Sequence, residues 1–597
     1  MTRHVTAILF GPAALWGMVA TAGLAMTWAD ADAWGPTDRR AATAVGSDTC
    51  RRCHPDEHAS WHDSYHRTMT QPAEAALAPF AGETLDYLGF RATMTRNAAG
   101  TPHVTMQRLT DDGRAGDVVL DVDVELCVGS HRYQQYVARF DRPGDRHARW
   151  RLPVAWHRGA RRWIPMGAAF LTPDGREGDL DDALRHVTPY DDNCLFCHNT
   201  EPAPGLRPDG SFRPTVAELG IACEACHGPA SAHVARHAGP MRRVLAGIVD
   251  AADAPEGSIA HPGKLDAGRQ VDVCGRCHGQ RIGRDIDRIL RHGDGFLPGE
   301  VLAEVSRPIL RDAVVGDGPA GQFEVRFWPD GTPRLSAYEY QAHLQTPCFD
   351  DGEGLACGDC HTMHGDEPDM QLRADYDEAR VCARCHEPAE LSAARARGGH
   401  GGHVGIADVD CADCHRPRIT YGLVQGMRTH RISIPDPATA VGRADTPDAC
   451  TQCHVDRDAA WAAAALAGDE VVASGPSRIA ADLLGGDPIQ RALAIDALAQ
   501  PGATLDAQTR AAWLADALAD DYPALRLMAW MALGAVAGDD DALAALVAAY
   551  DPLADPAARE PVAAALAERL GPGPLTADPI REMLIAGRFD REIWIGE

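Results

Sequence analysis

The sequence predicts a mainly α-helical protein with sparse regular secondary structure, a small inserted β-sheet and an α-solenoid at the C-terminal end. Three observations support this fold class. The pentapeptide Cys-x-x-Cys-His occurs eight times, separated by connections rich in glycine, proline and aspartate. A stretch between the first two copies alternates apolar and polar residues, which is typical of a half-buried strand. After residue 456 the chain becomes rich in alanine and leucine at helical spacing. The 597 residues, 45% hydrophobic and 24% charged, suit a soluble globular protein of several domains.

Residues 1–33 are predicted to be a secretory signal peptide. Arg3 and His4 form a short basic start, Val5 to Leu24 is uncharged and largely apolar, and Ala29-Asp30-Ala31 offers a small-residue cleavage site. The alternative is an uncleaved N-terminal membrane anchor, because about 20 apolar residues can just span a bilayer. Either interpretation places the rest of the chain outside the cytoplasm, in the periplasm or the extracellular space.

The repeated pentapeptide is typical of covalent c-type haem attachment. Two thiols three residues apart on one turn can bond to the two vinyl groups of a porphyrin, and the adjacent imidazole then lies under the iron. Numbered in chain order, motifs 1 to 8 have the cysteines Cys50 and Cys53, Cys194 and Cys197, Cys223 and Cys226, Cys274 and Cys277, Cys357 and Cys360, Cys382 and Cys385, Cys411 and Cys414, Cys450 and Cys453. Their proximal histidines are His54, His198, His227, His278, His361, His386, His415 and His454.

These motifs predict eight c-type haems, and therefore iron, as the cofactors. A zinc site or a redox dithiol is the competing interpretation, and it does not account for a histidine after every cysteine pair. Two cysteines remain outside the motifs, Cys127 and Cys348. They are either buried thiols or a disulfide, and the sequence leaves both alternatives open.

Each haem iron has a sixth coordination position, for which imidazole is a good ligand. The stronger candidates for this distal position lie near the motifs: His66, His233, His364, His400, His403 and His430. Weaker candidates are His62, His131, His186, His237, His261, His292 and His343. Methionine could serve instead at Met69, Met363 or Met427, although helix packing explains each of them as well. Lysine ligation is nearly excluded, because no motif ends in lysine and Lys264 is the sole lysine.

Several blocks of sequence around the motifs carry a family resemblance. They are Trp61-x-x-Ser-x-His66-x-x-Met69, Gly220 to Pro229, Tyr340 to Thr346, Cys357 to Gly365, Cys411 to Pro417 with Tyr421, the segment around His430, and Thr446 to His454. Over residues 45 to 465 the chain resembles a group of exported multihaem cytochromes that have helical repeats at the C-terminal end. This resemblance implies haem-bearing electron carriers.

More distantly, the chain resembles the superfamily that contains hydroxylamine oxidoreductase and pentahaem nitrite reductase. Catalysis is not carried over, because such nitrite reductases use a lysine-ligated catalytic haem that this chain lacks. Hydroxylamine oxidoreductases use a haem cross-linked to tyrosine, for which Tyr421 is the candidate without an established equivalence.

The chain is predicted to have two domains after the signal. Residues 45–465 form the octahaem cytochrome c domain, and residues 84–170 form a β-rich insert within it, with strands over 118–126, 133–140 and 149–156. A further hairpin is predicted over residues 322–331, which end in a Pro-Asp-Gly turn.

Residues 470–597 are predicted to form a HEAT-like α-helical repeat domain. Pro488-Ile-Gln-Arg491 recurs 35 residues later as Pro523-Ala-Leu-Arg526 and more weakly as Pro556-Ala-Ala-Arg559. A proline at the start of each copy fits the first turn of a helix, and repeated helices bury their apolar faces against one another. The domain is either a docking surface for a partner or a cap over the haem domain.

The predicted function is electron transfer through eight mostly bis-histidine haems in an extracytoplasmic chain. The alternative is a multihaem oxidoreductase that acts on a small nitrogen or sulfur compound at one haem with an open sixth position; no catalytic residue is predicted for it. The formal net charge of −28 argues against nucleic acid as a partner and favours redox proteins with basic patches. Contact with a membrane is expected only if the N-terminal segment is uncleaved.

Overall fold

The computed structural model describes residue 21 and residues 39–142, 144–239, 257–374, 376, 381–386, 403, 409–469, 475–538, 540–576 and 578–593. The predicted signal peptide, apart from residue 21, and the predicted distal ligand His400 lie outside these residues. No helix among the described residues combines the length and the apolar character needed to cross a membrane.

The largest regular element is an antiparallel sheet of eight strands. These are β1 Thr70–Pro72, β2 Glu83–Tyr87, β3 Phe90–Arg96, β4 Pro102–Leu109, β5 Ala115–Val128, β6 Tyr133–Arg139, β7 Arg149–His157 and β8 Arg162–Pro165. The strands follow one another from β2 to β8, β1 pairs with β5, and the sheet curves so that β2 contacts β8. The strands predicted over 118–126, 133–140 and 149–156 are observed as β5, β6 and β7.

The sheet is stabilised by the burial of every second side chain along its strands. Alternate residues of β3 and β4 are buried, and Met94, Val104 and Leu152 have no exposed surface. Phe80 packs edge-on against Tyr136 and Trp163, with ring centroids 5.1 and 5.0 Å away. The inward side chains thus form a continuous apolar core on one face of the sheet.

Short elements surround the CxxCH motifs. The helices up to residue 415 are α1 Ser47–Cys50, α2 Pro55–His62, α3 Leu180–Ala183, α4 Leu195–His198, α5 Cys223–His227, α6 Ser231–His237, α7 Ala267–Gly275, α8 Ile286–His292, α9 Glu339–Leu344 and α10 Cys411–His415. Three two-stranded ribbons join them: β9 Asn199–Thr200 with β10 Glu218–Leu219, β11 Arg281–Gly283 with β12 Ser306–Pro308, and β13 Thr420–Gly422 with β14 Gln425–Met427. The sparse secondary structure predicted for this part of the chain is observed.

The hairpin predicted over residues 322–331 is present only as a single bridge beside its turn, without regular strands. Glu324–Arg326 is a short 3₁₀ turn, and only an isolated bridge joins Phe327 to Pro333. The Pro-Asp-Gly turn is present, with Gly331 at φ +86°. Phe327 and Trp328 are both buried, and the Trp328 indole donates to the carbonyl oxygen of Ile419. The segment therefore pairs with itself only next to the turn, where the Trp328 N–H donates to the Thr332 carbonyl oxygen at 2.8 Å, and the Trp328 side chain packs against Ile419.

The C-terminal part is helical. Its helices are α11 Ala459–Ala467, α12 Arg478–Gly485, α13 Pro488–Ala499, α14 Ala507–Asp516, α15 Pro523–Val536, α16 Asp541–Ala549, α17 Pro556–Leu570 and α18 Pro579–Ala586. The three repeated prolines begin α13, α15 and α17, as their position in the repeat predicts. The Asp487 side chain accepts from the N–H groups of Ile489 and Gln490 and caps the start of α13.

These helices share a core with the rest of the protein. One apolar cluster extends from Ala73, beside the sheet, to Ile593. Ion pairs reinforce the contact: Arg334 lies 2.6 Å from Asp487, and Arg526 lies 2.8 Å from Asp174. The C-terminal helices are therefore held against both the sheet and the motif-bearing part.

Candidate functional site

Each described CxxCH motif turns back on itself over one helical turn. In motifs 1, 4, 5, 6 and 8, the histidine N–H donates to the carbonyl oxygen of the first cysteine at 2.9 Å. Motifs 3 and 7 are single helical turns, α5 and α10, and motif 2 overlaps α4. This turn brings two thiols and one imidazole together, which is the arrangement that c-type attachment requires.

Proximal histidines lie opposite histidines from distant parts of the chain. The ring centroids are separated by 6.3 Å for His54 and His233, 6.2 Å for His227 and His364, 6.0 Å for His278 and His66, 6.3 Å for His361 and His430, and 5.9 Å for His454 and His403. The described stronger candidates for the distal position are thus all brought next to a motif histidine.

This spacing matches what one metal ion between two imidazoles needs. A metal–nitrogen bond is about 2 Å long, and an imidazole centroid lies about 1.1 Å from each ring nitrogen, given bond lengths near 1.35 Å. Two imidazoles on opposite sides of one iron therefore have centroids about 6.2 Å apart. Direct ring contact is closer, as with His233 and His237 at 4.7 Å. The residues present fit an axially ligated haem at each of these sites.

Hydrogen bonds orient several proximal rings. The Nδ1 atoms of His227, His361 and His415 lie 2.8, 2.9 and 2.8 Å from the carbonyl oxygens of Ala260, Met370 and Ser433. A carbonyl oxygen only accepts, so Nδ1 carries the proton in each ring and donates it. Nε2 then keeps its lone pair for a metal, and the bond to Nδ1 raises its basicity.

The protein environment lowers the pKa of His66, His198 and His430 and so keeps these three imidazoles neutral. Burial lowers the pKa of His66 to about 4, and the neighbouring His278 adds to this effect. Burial also lowers the pKa of His198 to about 4, with His278 and Arg151 as further causes. For His430 the pKa is lowered well below the usual value by burial and by Arg416. Neutral imidazole is the form that binds iron.

Some of the weaker distal candidates have other contacts. His131 lies 2.7 Å from Asp369 and stacks on Tyr65 at 4.3 Å. The Nε2 atom of His343 lies 2.8 Å from the carbonyl oxygen of Leu355. His186 stacks on Phe170, and its Nε2 atom lies 3.1 Å from the Thr172 hydroxyl.

In the described part of the chain, other proximal histidines have either two imidazoles nearby or none at this spacing. His261 lies 6.5 Å from His227 and is a second imidazole near motif 3. Among the described residues, His198 and His386 are without a second imidazole at the spacing found for the other pairs.

Neighbouring motifs are tied together directly. The Glu224 carboxylate in motif 3 accepts from the N–H groups of Val45 and Gly46, just before motif 1, at 3.0 and 2.9 Å. The Gln270 side chain on α7, before motif 4, accepts from the Gly358 N–H in motif 5 at 2.7 Å.

Cysteine side chains make further contacts between motifs. The side chain of Cys50 lies beside that of Cys223, that of Cys197 beside that of Cys277, and that of Cys274 beside that of Cys357. Motif 1 therefore adjoins motif 3, and motif 4 adjoins both motif 2 and motif 5.

The structure also bears on the competing interpretations of the cysteines. Within the described part of the chain, no three His, Cys, Asp or Glu side chains form a group suited to a metal ion. Cys127 and Cys348 are both free thiols, so the disulfide between them is not formed. Cys127 is buried in the sheet, where burial raises the pKa of its thiol to about 12.

Three side chains around these sites were not predicted: Gln371, Glu224 and Gln270. The Gln371 amide oxygen accepts from the Nδ1–H of His66. These residues act on groups that are 88 to 305 residues away in the sequence, and no local pattern marks them.

Residues 349–391 match the family model described as "Doubled CXXCH motif", and this segment contains motifs 5 and 6. Together with the geometry of the motifs, this match identifies the class of protein: the chain is a multihaem c-type cytochrome. No curated protein matches the chain.

Among solved structures, the chain is similar to the one titled "Crystal Structure of Outer Cell Wall Cytochrome OcwA". The identity is 17%, the TM-score is 0.45, and the similarity covers 88% of this chain and 100% of that chain.

Proposed function

We propose that the protein is an exported electron carrier with eight c-type haems, one at each CxxCH motif. The observation that carries this proposal is the placement of a second imidazole about 6 Å from His54, His227, His278, His361 and His454. A c-type haem supplies one-electron chemistry at its iron, and histidine on both faces leaves no position there for a substrate. Such sites pass electrons and do not transform a bound molecule.

The contacts between motifs support transfer from site to site. Glu224 joins motif 3 to the segment before motif 1, and Gln270 joins α7 to motif 5. Attachment points in direct contact keep neighbouring porphyrins close, which electron transfer between them requires. We infer two groups of connected sites, one formed by motifs 1 and 3 and the other by motif 4 with motifs 2 and 5 beside it.

The negative net charge of the protein affects both its reduction potentials and its choice of redox partner. The net charge of −28 favours the oxidised, more positive iron by Coulomb attraction and so lowers the reduction potentials. It also favours redox partner proteins with basic patches, because complementary charges accelerate encounter. The rate of electron transfer to a basic partner should fall as ionic strength rises, and a rate that does not depend on salt contradicts this part of the proposal.

For the C-terminal helices we propose a HEAT-type cap that covers the haem domain. Arg491 and Arg526, at equivalent positions of the repeat, are almost fully buried and pair with Asp520 and Asp174 at 3.0 and 2.8 Å. The inner helix faces are used in packing, so a partner that docks on this domain would use the outer faces. Met583 and Phe589 are exposed there.

The haem count and the spin state test the function. The mature protein should exceed the mass of its polypeptide by eight haems, and in the oxidised protein the five sites with a second imidazole should be low-spin and unchanged by cyanide. Colourless protein, or a mass increase below eight haems, contradicts the proposal. A high-spin component that cyanide, nitrite or hydroxylamine titrates would favour the alternative, an oxidoreductase of small nitrogen or sulfur compounds.

A pair of variants calibrates this test. His430→Ala removes the imidazole opposite His361 and should produce one cyanide-sensitive high-spin site while all haems stay attached. His103→Ala changes a histidine on the outer surface of the sheet, which pairs with Asp121 and Asp123, and should leave the spectrum unchanged.

A further inference from the structure

The segment 369–371 contacts the histidines of two different haem sites. The Met370 carbonyl oxygen accepts from Nδ1 of His361, the proximal histidine of motif 5, at 2.9 Å. The next residue, Gln371, accepts with its side-chain oxygen from Nδ1 of His66. His66 lies 6.0 Å from His278, the proximal histidine of motif 4. Two consecutive residues thus orient one imidazole each at motifs 4 and 5.

The backbone of this segment is held in an unusual conformation. Met370 and Gln371 have φ angles of +62° and +49°, in the left-handed region that residues other than glycine rarely adopt. Such a conformation persists where the surrounding contacts enforce it, and it concentrates at functional positions. Here it turns the Met370 carbonyl oxygen to His361 and the Gln371 side chain to His66.

Contacts on both sides fix the segment. On one side, Asp369 lies 2.7 Å from His131, which stacks on Tyr65 next to His66 in the sequence. On the other side, the Thr362 N–H donates to the Gln371 carbonyl oxygen at 2.8 Å, directly after His361. Gln371 is 9% exposed, so water does not compete freely for its side chain.

We infer that Gln371 is a positioning residue that sets the orientation and the basicity of His66. This inference rests on the proposed function in one respect, namely that His66 is the distal ligand at motif 4. It adds a residue that controls the reduction potential of one site among eight.

The direction of the effect follows from ligand chemistry. A hydrogen bond from Nδ1 makes an imidazole a stronger electron donor, which favours the oxidised iron and lowers the reduction potential. Removing the acceptor should raise the potential at motif 4, and replacing it by a carboxylate should lower it.

Ring orientation gives this site a distinctive signal. The His66 and His278 ring planes are at 71°, whereas those of His361 and His430 are at 24°. Two parallel imidazoles interact with the same iron d orbital, whereas two nearly perpendicular ones interact with one orbital each. We therefore expect motif 4 to give a more anisotropic low-spin EPR signal than sites with nearly parallel rings.

The experiment compares Gln371→Leu and Gln371→Glu with the wild type in the full-length, haem-loaded protein. Redox titration followed by EPR should show this anisotropic signal at a higher potential in Gln371→Leu and at a lower potential in Gln371→Glu. The expected change is about tenfold in the reduction equilibrium, or roughly 59 mV for one electron. Gln107→Leu is the matched control, because Gln107 is a partly buried glutamine of β4 that donates to the Gly116 carbonyl oxygen.

Opposite shifts confined to one haem support the inference. Unchanged potentials, shifts in the same direction, or equal shifts in Gln107→Leu overturn it, and the Glu variant still decides the matter if the Leu variant loses haem. His66→Ala separates the two hypotheses. If it creates no high-spin site, the ligation assumed in the proposed function fails; if it does and the Gln371 variants change nothing, only the role of Gln371 fails.

Discussion

The sheet and the motif-bearing stretch from 190 to 455 are stabilised by different means. In the sheet, alternate side chains such as Met94 and Leu152 are fully buried in the main apolar core. In the motif-bearing stretch, a separate cluster has only six buried apolar residues, among them Val271, Leu302 and Tyr340. Near these small clusters, the motif histidines lie opposite other histidines, and cysteines of neighbouring motifs lie side by side. The sheet therefore has a large apolar core, to which Tyr338 and Tyr421 of the motif-bearing stretch also belong, whereas we expect the rest of that stretch to depend on the large apolar porphyrins of its motifs.

The largest expected effect comes from removing one attachment site. Cys357→Ser combined with Cys360→Ser should leave one haem unattached and destabilise residues 190–455 by more than about 4 kcal/mol, the scale of losing a large buried aromatic group. Limited proteolysis followed by mass spectrometry should show new cuts in this stretch but none in residues 83–165.

The control for this variant is Cys127→Ala, in the core of the sheet, which should keep every haem and cost about 1 kcal/mol. Equal susceptibility of the two regions in the double variant would mean that they do not differ in how they are stabilised.

A core substitution in the sheet should destabilise the protein without affecting the haems. Leu152→Ala should lower the free energy of unfolding by about 2–5 kcal/mol, because it leaves a cavity at a position without exposed surface. The haem spectrum should be unchanged. Val118→Ala, at a position 56% exposed, should stay within about 0.5 kcal/mol of the wild type. Loss of haem in Leu152→Ala would show that the motif-bearing stretch relies on the core of the sheet.

The ion pair between the sheet side and the C-terminal helices should have an intermediate effect. Asp174→Ala leaves Arg526, whose side chain is 2% exposed, without its carboxylate partner. We expect a loss of about 2 kcal/mol in chemical denaturation, below the 3–5 kcal/mol of a fully buried pair because Asp174 is 30% exposed.

The exposed pair of Arg114 and Asp112 provides the comparison. Asp112→Ala should change stability by less than about 0.5 kcal/mol. Similar losses in the two variants would argue against a tight connection between the C-terminal helices and the rest of the protein.

A further predicted effect concerns the pH dependence of stability. Burial raises the pKa of Asp482 on α12 to about 6, although Arg478 opposes this shift. Between about pH 4 and pH 6 the folded protein retains a proton that the unfolded chain has lost, so this group makes stability fall as pH rises through that window. Asp482→Asn should remove a slope of at most about 1.4 kcal/mol per pH unit. Parallel pH profiles for the wild type and the variant would contradict the assignment.

Local patterns in the sequence predicted several parts of the structure. The CxxCH turns, β5 to β7 and the starts of α13, α15 and α17 follow from the spacing of cysteine, apolar residues and proline within short windows. The distal candidates could be proposed because each lies near a motif in the sequence. The pairing itself could not be predicted, since His66 faces His278 across 212 residues and not His54, the nearest motif histidine.

Long-range packing explains what the sequence did not predict. The segment 322–331 fits a strand by composition, but Glu324–Arg326 forms a 3₁₀ turn and the Trp328 indole donates to the Ile419 carbonyl oxygen, so pairing is limited to one bridge beside the turn. Gln371 has no sequence signal, because its role depends on a loop that brings it to His66 from 305 residues away. Ligand identity was therefore more predictable from the sequence than the contacts that orient each ligand.

The pairing of early motifs with late histidines has a consequence for biogenesis. Cys50 and Cys53 become available long before His233, and His66 precedes its partner His278 by 212 residues. In a chain delivered from its N-terminus, thioether bonds at the first motifs can form while the residues that complete their coordination are still to come. Covalent attachment would then precede folding, and the order in which histidines arrive would decide which sites can be completed first.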